Sequence, residues 1–127
     1  MKLLKSFFVI AMTVVLVFAL AACGDSSEKI LKDAVDEINS DESMHSALEG
    51  LYTVRAEARG SSSIVVVFKA ELEELATAEV SKAVSEEVTS EFQDAVNEMR
   101  KAGISSPKVI LEFLDMGGQL VYTHEYY

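Results

Sequence analysis

The chain has one cysteine, one proline and no tryptophan, and its only histidines are His45 and His124. A lone cysteine, Cys23, excludes an internal disulfide framework and the paired thiolates of a structural zinc site. Neither histidine has a Cys, Asp or Glu at a ligand spacing such as H-E-x-x-H, so no metal or other cofactor is expected. Ser61, Ser62 and Ser63 sit beside Gly60 without a G-x-S-x-G elbow or an assignable base, and read as turn residues. Glu71, Glu73, Glu74, Glu86 and Glu87 lack the alternating Asp/Asn and glycine of a calcium loop, and read as solvated helical faces. No catalytic constellation can be assembled, and the expectation is a protein that is not an enzyme. Cations are scarce as well: 11 Lys and Arg stand against 21 Asp and Glu, for a net charge of −10. That balance excludes a basic surface for phosphate backbones, so nucleic acid is not an expected partner. It favours solubility and cationic partners.

The chain does have an address. Lys2 and Lys5 precede an uncharged apolar run from Phe7 to Ala22 that ends in small residues. This is the order of a secretion signal, positive, then apolar, then cleavable. The run is shorter than the roughly 20 residues of a retained membrane span. It closes on Leu20-Ala21-Ala22-Cys23-Gly24, which resembles the lipobox of bacterial lipoproteins: an aliphatic residue and two small ones before an obligatory cysteine. The resemblance implies cleavage between Ala22 and Cys23 and a diacylglycerol thioether on Cys23. Two acyl chains at about 0.8 kcal/mol per buried CH₂ suffice for stable anchoring. Residues 1–22 are therefore expected to be a signal peptide, and 23–27 a lipidated tether that reaches at most roughly 14 Å beyond Cys23. The expected location is the cell membrane, lipid-anchored, on the extracytoplasmic side. Loss of residues 1–22 leaves 105 residues and removes two lysines and no acid, so the net charge becomes −12. That is enough chain for one compact domain, expected over residues 28–127.

Beyond the tether the pattern reads helix, hairpin, helix, hairpin. Ser26 or Ser27 caps a helix in which Ile30, Leu31, Ala34, Val35 and Ile38 form one stripe. It stops near Asn39-Ser40, and Asp41 starts a shorter helical piece ended by Gly50. From Leu51 the period changes to two, and Gly60-Ser61-Ser62 turns the chain into Ile64 to Phe68. Pairing Arg59 with Ser63 sets Ala58, Ala56 and Val54 opposite Ile64, Val66 and Phe68, small against large. Thr77 caps a long helix to about Ala102, with a break expected near Ala76. Pro107 opens a second hairpin turning at Asp115 to Gly118. Pairing Leu114 with Gln119 there sets Leu111 opposite Tyr122, His124 opposite Val109, and Lys108 opposite Glu125. His124 then reads as a partly buried packing residue. The string Asp33-Ala34-Val35-Asp36-Glu37-Ile38 parallels Asp94-Ala95-Val96-Asn97-Glu98-Met99, each before a hairpin, which suggests an internal duplication of residues 28–70 and 77–127. The expected fold is α+β: a two-layer sandwich, αββαββ, with a four-stranded antiparallel sheet.

Ile38-Asn39-Ser40-Asp41-Glu42, the first hairpin, and Lys101-Ala102-Gly103-Ile104 leading through Pro107-Lys108-Val109 to the Gly118 turn resemble a family of small lipoproteins of Gram-positive bacteria, known by a domain-of-unknown-function label. The likeness spans about residues 28–127 and implies fold and location, with no catalytic signature. Members often have Asp-Gly at the last turn, where this chain has Asp115-Met116-Gly117-Gly118.

The registers leave Val65, Val67, Ile110 and Val121 on the outer sheet face among Thr53, Arg55, Glu57, Glu112 and Thr123, with Tyr127 at the rim. Four aliphatics on an open face would form an interaction patch. The functional expectation is a non-enzymatic binding or scaffold module that meets membrane lipid through acylated Cys23. An envelope component or protein, or a second copy of the domain in a homodimer, would dock on the sheet face. The alternative is a modulator or inhibitor of an extracytoplasmic enzyme such as a protease.

Overall fold

The computed structural model describes residues 26–127; the signal segment, the Ala22–Cys23 junction and Cys23 itself lie outside the described residues. Helix α1 spans Ser27–Ser40, and the Ser26 hydroxyl accepts from the Lys29 N–H at 3.3 Å. Ser26 and Ser27, expected in the tether, thus belong to the cap and first turn of a helix. One stripe of α1, Ile30, Leu31, Ala34 and Ile38, is buried, as its spacing requires. Helix α2 (Glu42–Ala47) follows at once, its N-cap Asp41 accepting from the Met44 N–H at 3.0 Å. α1 has no basic residue in its last turn. His45 takes that part: its Nε2 lies 3.2 Å from the carbonyls of both Ile38 and Asn39. Both are acceptors, so Nε2 carries the proton and donates to the helix C-terminus.

Strands β1 (Tyr52–Arg59) and β2 (Ser63–Ala70) form the first hairpin in the register expected from small-against-large pairing, Arg59 with Ser63 through Val54 with Phe68. A 3₁₀ turn, Glu73–Leu75, then leads to Thr77, whose hydroxyl accepts from the Val80 N–H at 3.2 Å. The long helix expected from there is two helices, α3 (Ala78–Glu87) and α4 (Thr89–Lys101), with Val88 between them at φ −102, ψ 12. Hydroxyls compete with the helical ladder along this stretch. Ser81 donates to the Thr77 carbonyl at 2.8 Å, Ser85 to Lys82 at 2.8 Å and Thr89 to Ser85 at 3.0 Å. Such back-bonding bends helices, and β-branched Val88 and Thr89 do little to resist it.

Strands β3 (Lys108–Leu114) and β4 (Leu120–Tyr126) close the chain. The sheet order is β1-β2-β3-β4, and the β2–β3 pairing is parallel, so the sheet is mixed and not antiparallel throughout. The cause is the connection: residues 71–107 carry the chain back to the end where β2 began, and Lys108 N–H donates to the Ser62 carbonyl at 3.1 Å. A crossover that long seats the next strand parallel. The last hairpin is also displaced by two residues from the expected pairing. Phe113 faces Tyr122, Leu111 faces His124 and Val109 faces Tyr126, with an irregularity at Phe113/Leu114 where Leu114 pairs with Leu120. An even displacement keeps each side chain on its face. The Lys108–Glu125 ion pair, expected from direct opposition, still forms at 3.1 Å.

The helical stripes and one face of the sheet share a single core. Phe68 stacks on Phe113 at 5.2 Å with Tyr52 edge-on to both, and Phe92 stacks on Tyr126 at 5.4 Å. Strand directions run one up, two down, one up. The shared Asp-Ala-Val string marks two helices with the same amphipathic task.

The two sheet edges differ. β1 is closed by α1: the Asn39 amide accepts from the Ala56 N–H at 2.7 Å and donates to the Ala56 carbonyl at 3.0 Å. Along β4 no side chain or backbone of the described residues meets the outward groups; the first to do so is Gln93 Nε2, which donates to the Tyr127 carbonyl beyond the strand.

Candidate functional site: the outer sheet face

Among the described residues the small apolar cluster on the second face of the sheet contains strand residues alone. The registers arrange this face in rows across the strands: Arg55–Val67–Glu112–Thr123 and Glu57–Val65–Ile110–Glu125, flanked by Thr53–Lys69–Leu114 and Arg59–Ser63–Lys108. The sequence places aliphatics here, and the structure shows them sealed. Val65, Val67 and Ile110 are 0%, 2% and 9% exposed, with Leu114 packed beside them.

Charged side chains stand around them. Glu57 accepts from Arg55 and Arg59, each at 3.1 Å, and Arg59 continues to Glu112 at 3.3 Å. Glu112 lies two strands from Arg59, so the arginine stem crosses β2, and its methylenes cover aliphatic surface while its head stays wet. The individual pairs are half-exposed and contribute roughly 0–1 kcal/mol each. What they do is present a lattice of alternating charge in place of a greasy patch.

Val121 is not in this cluster. It is half-buried against the main core, because the irregularity at the start of β4 turns it off the outer face. Of the four aliphatics expected together, three meet and one does not. Tyr127 does stand at the rim, 72% exposed, with Lys108 Nζ 5.8 Å from its ring centre.

The face is also where cations gather. Arg55, Arg59, Lys69 and Lys108 are four of the 11 Lys and Arg in the chain, and of the 21 acids Glu57, Glu71, Glu112 and Glu125 lie on or beside this face. A strongly acidic molecule therefore has one side whose charge is close to balanced. The strap from Arg59 to Glu112 was not legible in the sequence, since it depends on β2 and β3 being neighbours.

A shallow depression at the opposite end of β1 is lined by His45, Ser46, Glu49, Tyr52, Thr53 and Glu71. Three of its polar side chains, Glu71, Thr53 and His45, hold the fold. Glu71 accepts from the Gly50 N–H at 3.1 Å and from the Thr53 hydroxyl at 2.8 Å, and His45 serves α1. Burial pushes the Tyr52 phenol up to about 12. His124 is half-buried, its ring 4.6 Å from that of Tyr126. Among the described residues no three His, Cys, Asp or Glu side chains converge as a metal site, and no helix is long and apolar enough to cross a membrane.

Comparison with protein-family models, with curated proteins and with solved structures finds no match to the chain.

Proposed function

We propose that this protein is a bilayer-tethered, extracytoplasmic docking module, a two-layer α+β domain without catalytic activity that meets an envelope component or protein through its outer sheet face. Support for the tether comes from the lipobox-like Leu20-Ala21-Ala22-Cys23-Gly24 and from Ser26, which already caps a helix three residues past Cys23. Three residues extend roughly 10 Å, so the domain works next to its membrane. The observation that carries the docking reading is the lattice of half-exposed ion pairs on a face to which the described helices do not contribute. A partner with acidic groups can approach this side with the least repulsion and exchange those pairs for its own.

A photo-crosslinking residue at Lys69, on the face, compared with one at Glu86, on α3, tests this in living cells. Crosslinks should form from position 69 and disappear when Arg55→Glu is added. Crosslinks from position 86 alone would contradict the reading.

A further inference from the structure

We propose that the β4 edge is the contact for a second copy of this chain, the two β4 strands pairing antiparallel to make one eight-stranded sheet. Edge strands present unpaired N–H and C=O groups, and proteins generally blunt them. Here one edge is blunted and the other is not. Asn39 clamps Ala56 on β1, whereas β4, with no proline and no lysine, keeps its outward groups unmet among the described residues.

The strand sequence suits its own reverse. With Thr123 opposite Thr123 of the copy, Tyr122 meets His124 on the same face. Glu125 is the only charged residue of β4, so this register brings no like charges into opposition. A two-fold axis normal to the sheet keeps both outer faces on one side. Two tethered copies could then lie in the same membrane with the docking face doubled. The proposal rests on the lipid-anchor reading only for local concentration: edge pairing is a small contact, and confinement to one plane raises the effective concentration of the partner strand.

Cysteine crosslinking in lipidated protein on vesicles tests it. Acylation consumes the Cys23 thiol, so an introduced cysteine is the only free one. Thr123→Cys should give a disulfide dimer under mild oxidation, and a mixture of Tyr122→Cys with His124→Cys should give the mixed dimer. Arg55→Cys, on the clamped edge, should stay monomeric. Raising salt from about 0.05 to 0.5 M should increase the dimer severalfold, because it screens repulsion between two acidic domains over a Debye length that falls from roughly 14 to 4 Å. Equal yields from Arg55→Cys and Thr123→Cys, or a Thr123→Cys adduct with some other protein only, would overturn the proposal. So would no dimer from any β4 position. The same variants in a Cys23→Ala background separate the two readings: dimer at high protein concentration there supports edge pairing even if Cys23 proves unmodified.

Discussion

Asn39 holds Ala56 by both backbone groups that β1 turns outward, at 2.7 and 3.0 Å. A helix terminus thereby acts as the missing neighbour of an edge strand. Replacing Asn39 by Leu keeps the volume and leaves both Ala56 groups without a partner. The expected loss is about 1–3 kcal/mol, measured by urea unfolding. Asn39→Asp should be no better, since a carboxylate cannot donate to the Ala56 carbonyl.

The sealed outer face separates two kinds of substitution. Val67→Glu, at a 2% exposed site, buries a charge without a partner and should cost more than about 3 kcal/mol or prevent folding. Arg59→Glu, among half-exposed pairs, should cost about 1 kcal/mol or less. Thermal unfolding of both variants measures the contrast, and equal losses would mean that the lattice is not a removable cover.

Tyr126 ties β4 to the helices, its hydroxyl donating to the buried Ser85 carbonyl at 2.6 Å. Tyr126→Phe should cost about 1–2 kcal/mol. Burial raises the Tyr126 phenol above the ordinary tyrosine range, with Tyr122 and Glu91 adding to the rise and a hydrogen bond with Thr89 opposing it. Burial raises Tyr52 to about 12. Folded-state values above the unfolded 10 favour the neutral phenols, so this stability is full below about pH 10 and is lost as pH rises towards the folded values. Each tyrosine should contribute a slope of roughly 1.4 kcal/mol per pH unit within its window. Tyr126→Phe should halve the slope above pH 10, read from urea midpoints between pH 9 and 12.

Asp115 organises the last turn. Its Oδ1 accepts from the Gly117 and Gln119 N–H groups, each at 2.9 Å, and Gly118 takes φ 86. Asp115→Ala should lose about 1–2 kcal/mol, while Asp115→Asn, which keeps the acceptor, should lose less. Chemical denaturation of the two variants side by side gives the comparison.

These residues also mark what a sequence can reveal. The β1/β2 register was legible to the residue, because small Ala56 and Ala58 require large partners across a short turn. Helix caps at Ser26, Asp41 and Thr77 were legible for the same local reason. The β3/β4 register was not, since Asp115 draws Gly117 and Gln119 into a turn that no pairing rule anticipates. The parallel joining of β2 to β3 is non-local and leaves no periodic trace, and the Arg59–Glu112 strap inherits that invisibility. Asn39 read as a helix stop, which it is, but its clamp on Ala56 required knowing which strand the helix flanks. The candidate face was legible as a set of outward positions, not as a sealed one. Alternation shows which way a side chain points, and only packing shows what lies over it.

Cys23 matters most, because a tether there determines where any partner can be. Intact mass analysis of the mature protein from its native membrane measures this directly. The expected result is a chain beginning at Cys23 with a diacylglycerol thioether, and Cys23→Ala should release an unmodified protein from the membrane. A protein that still begins at Met1, with a free Cys23 thiol, would contradict it.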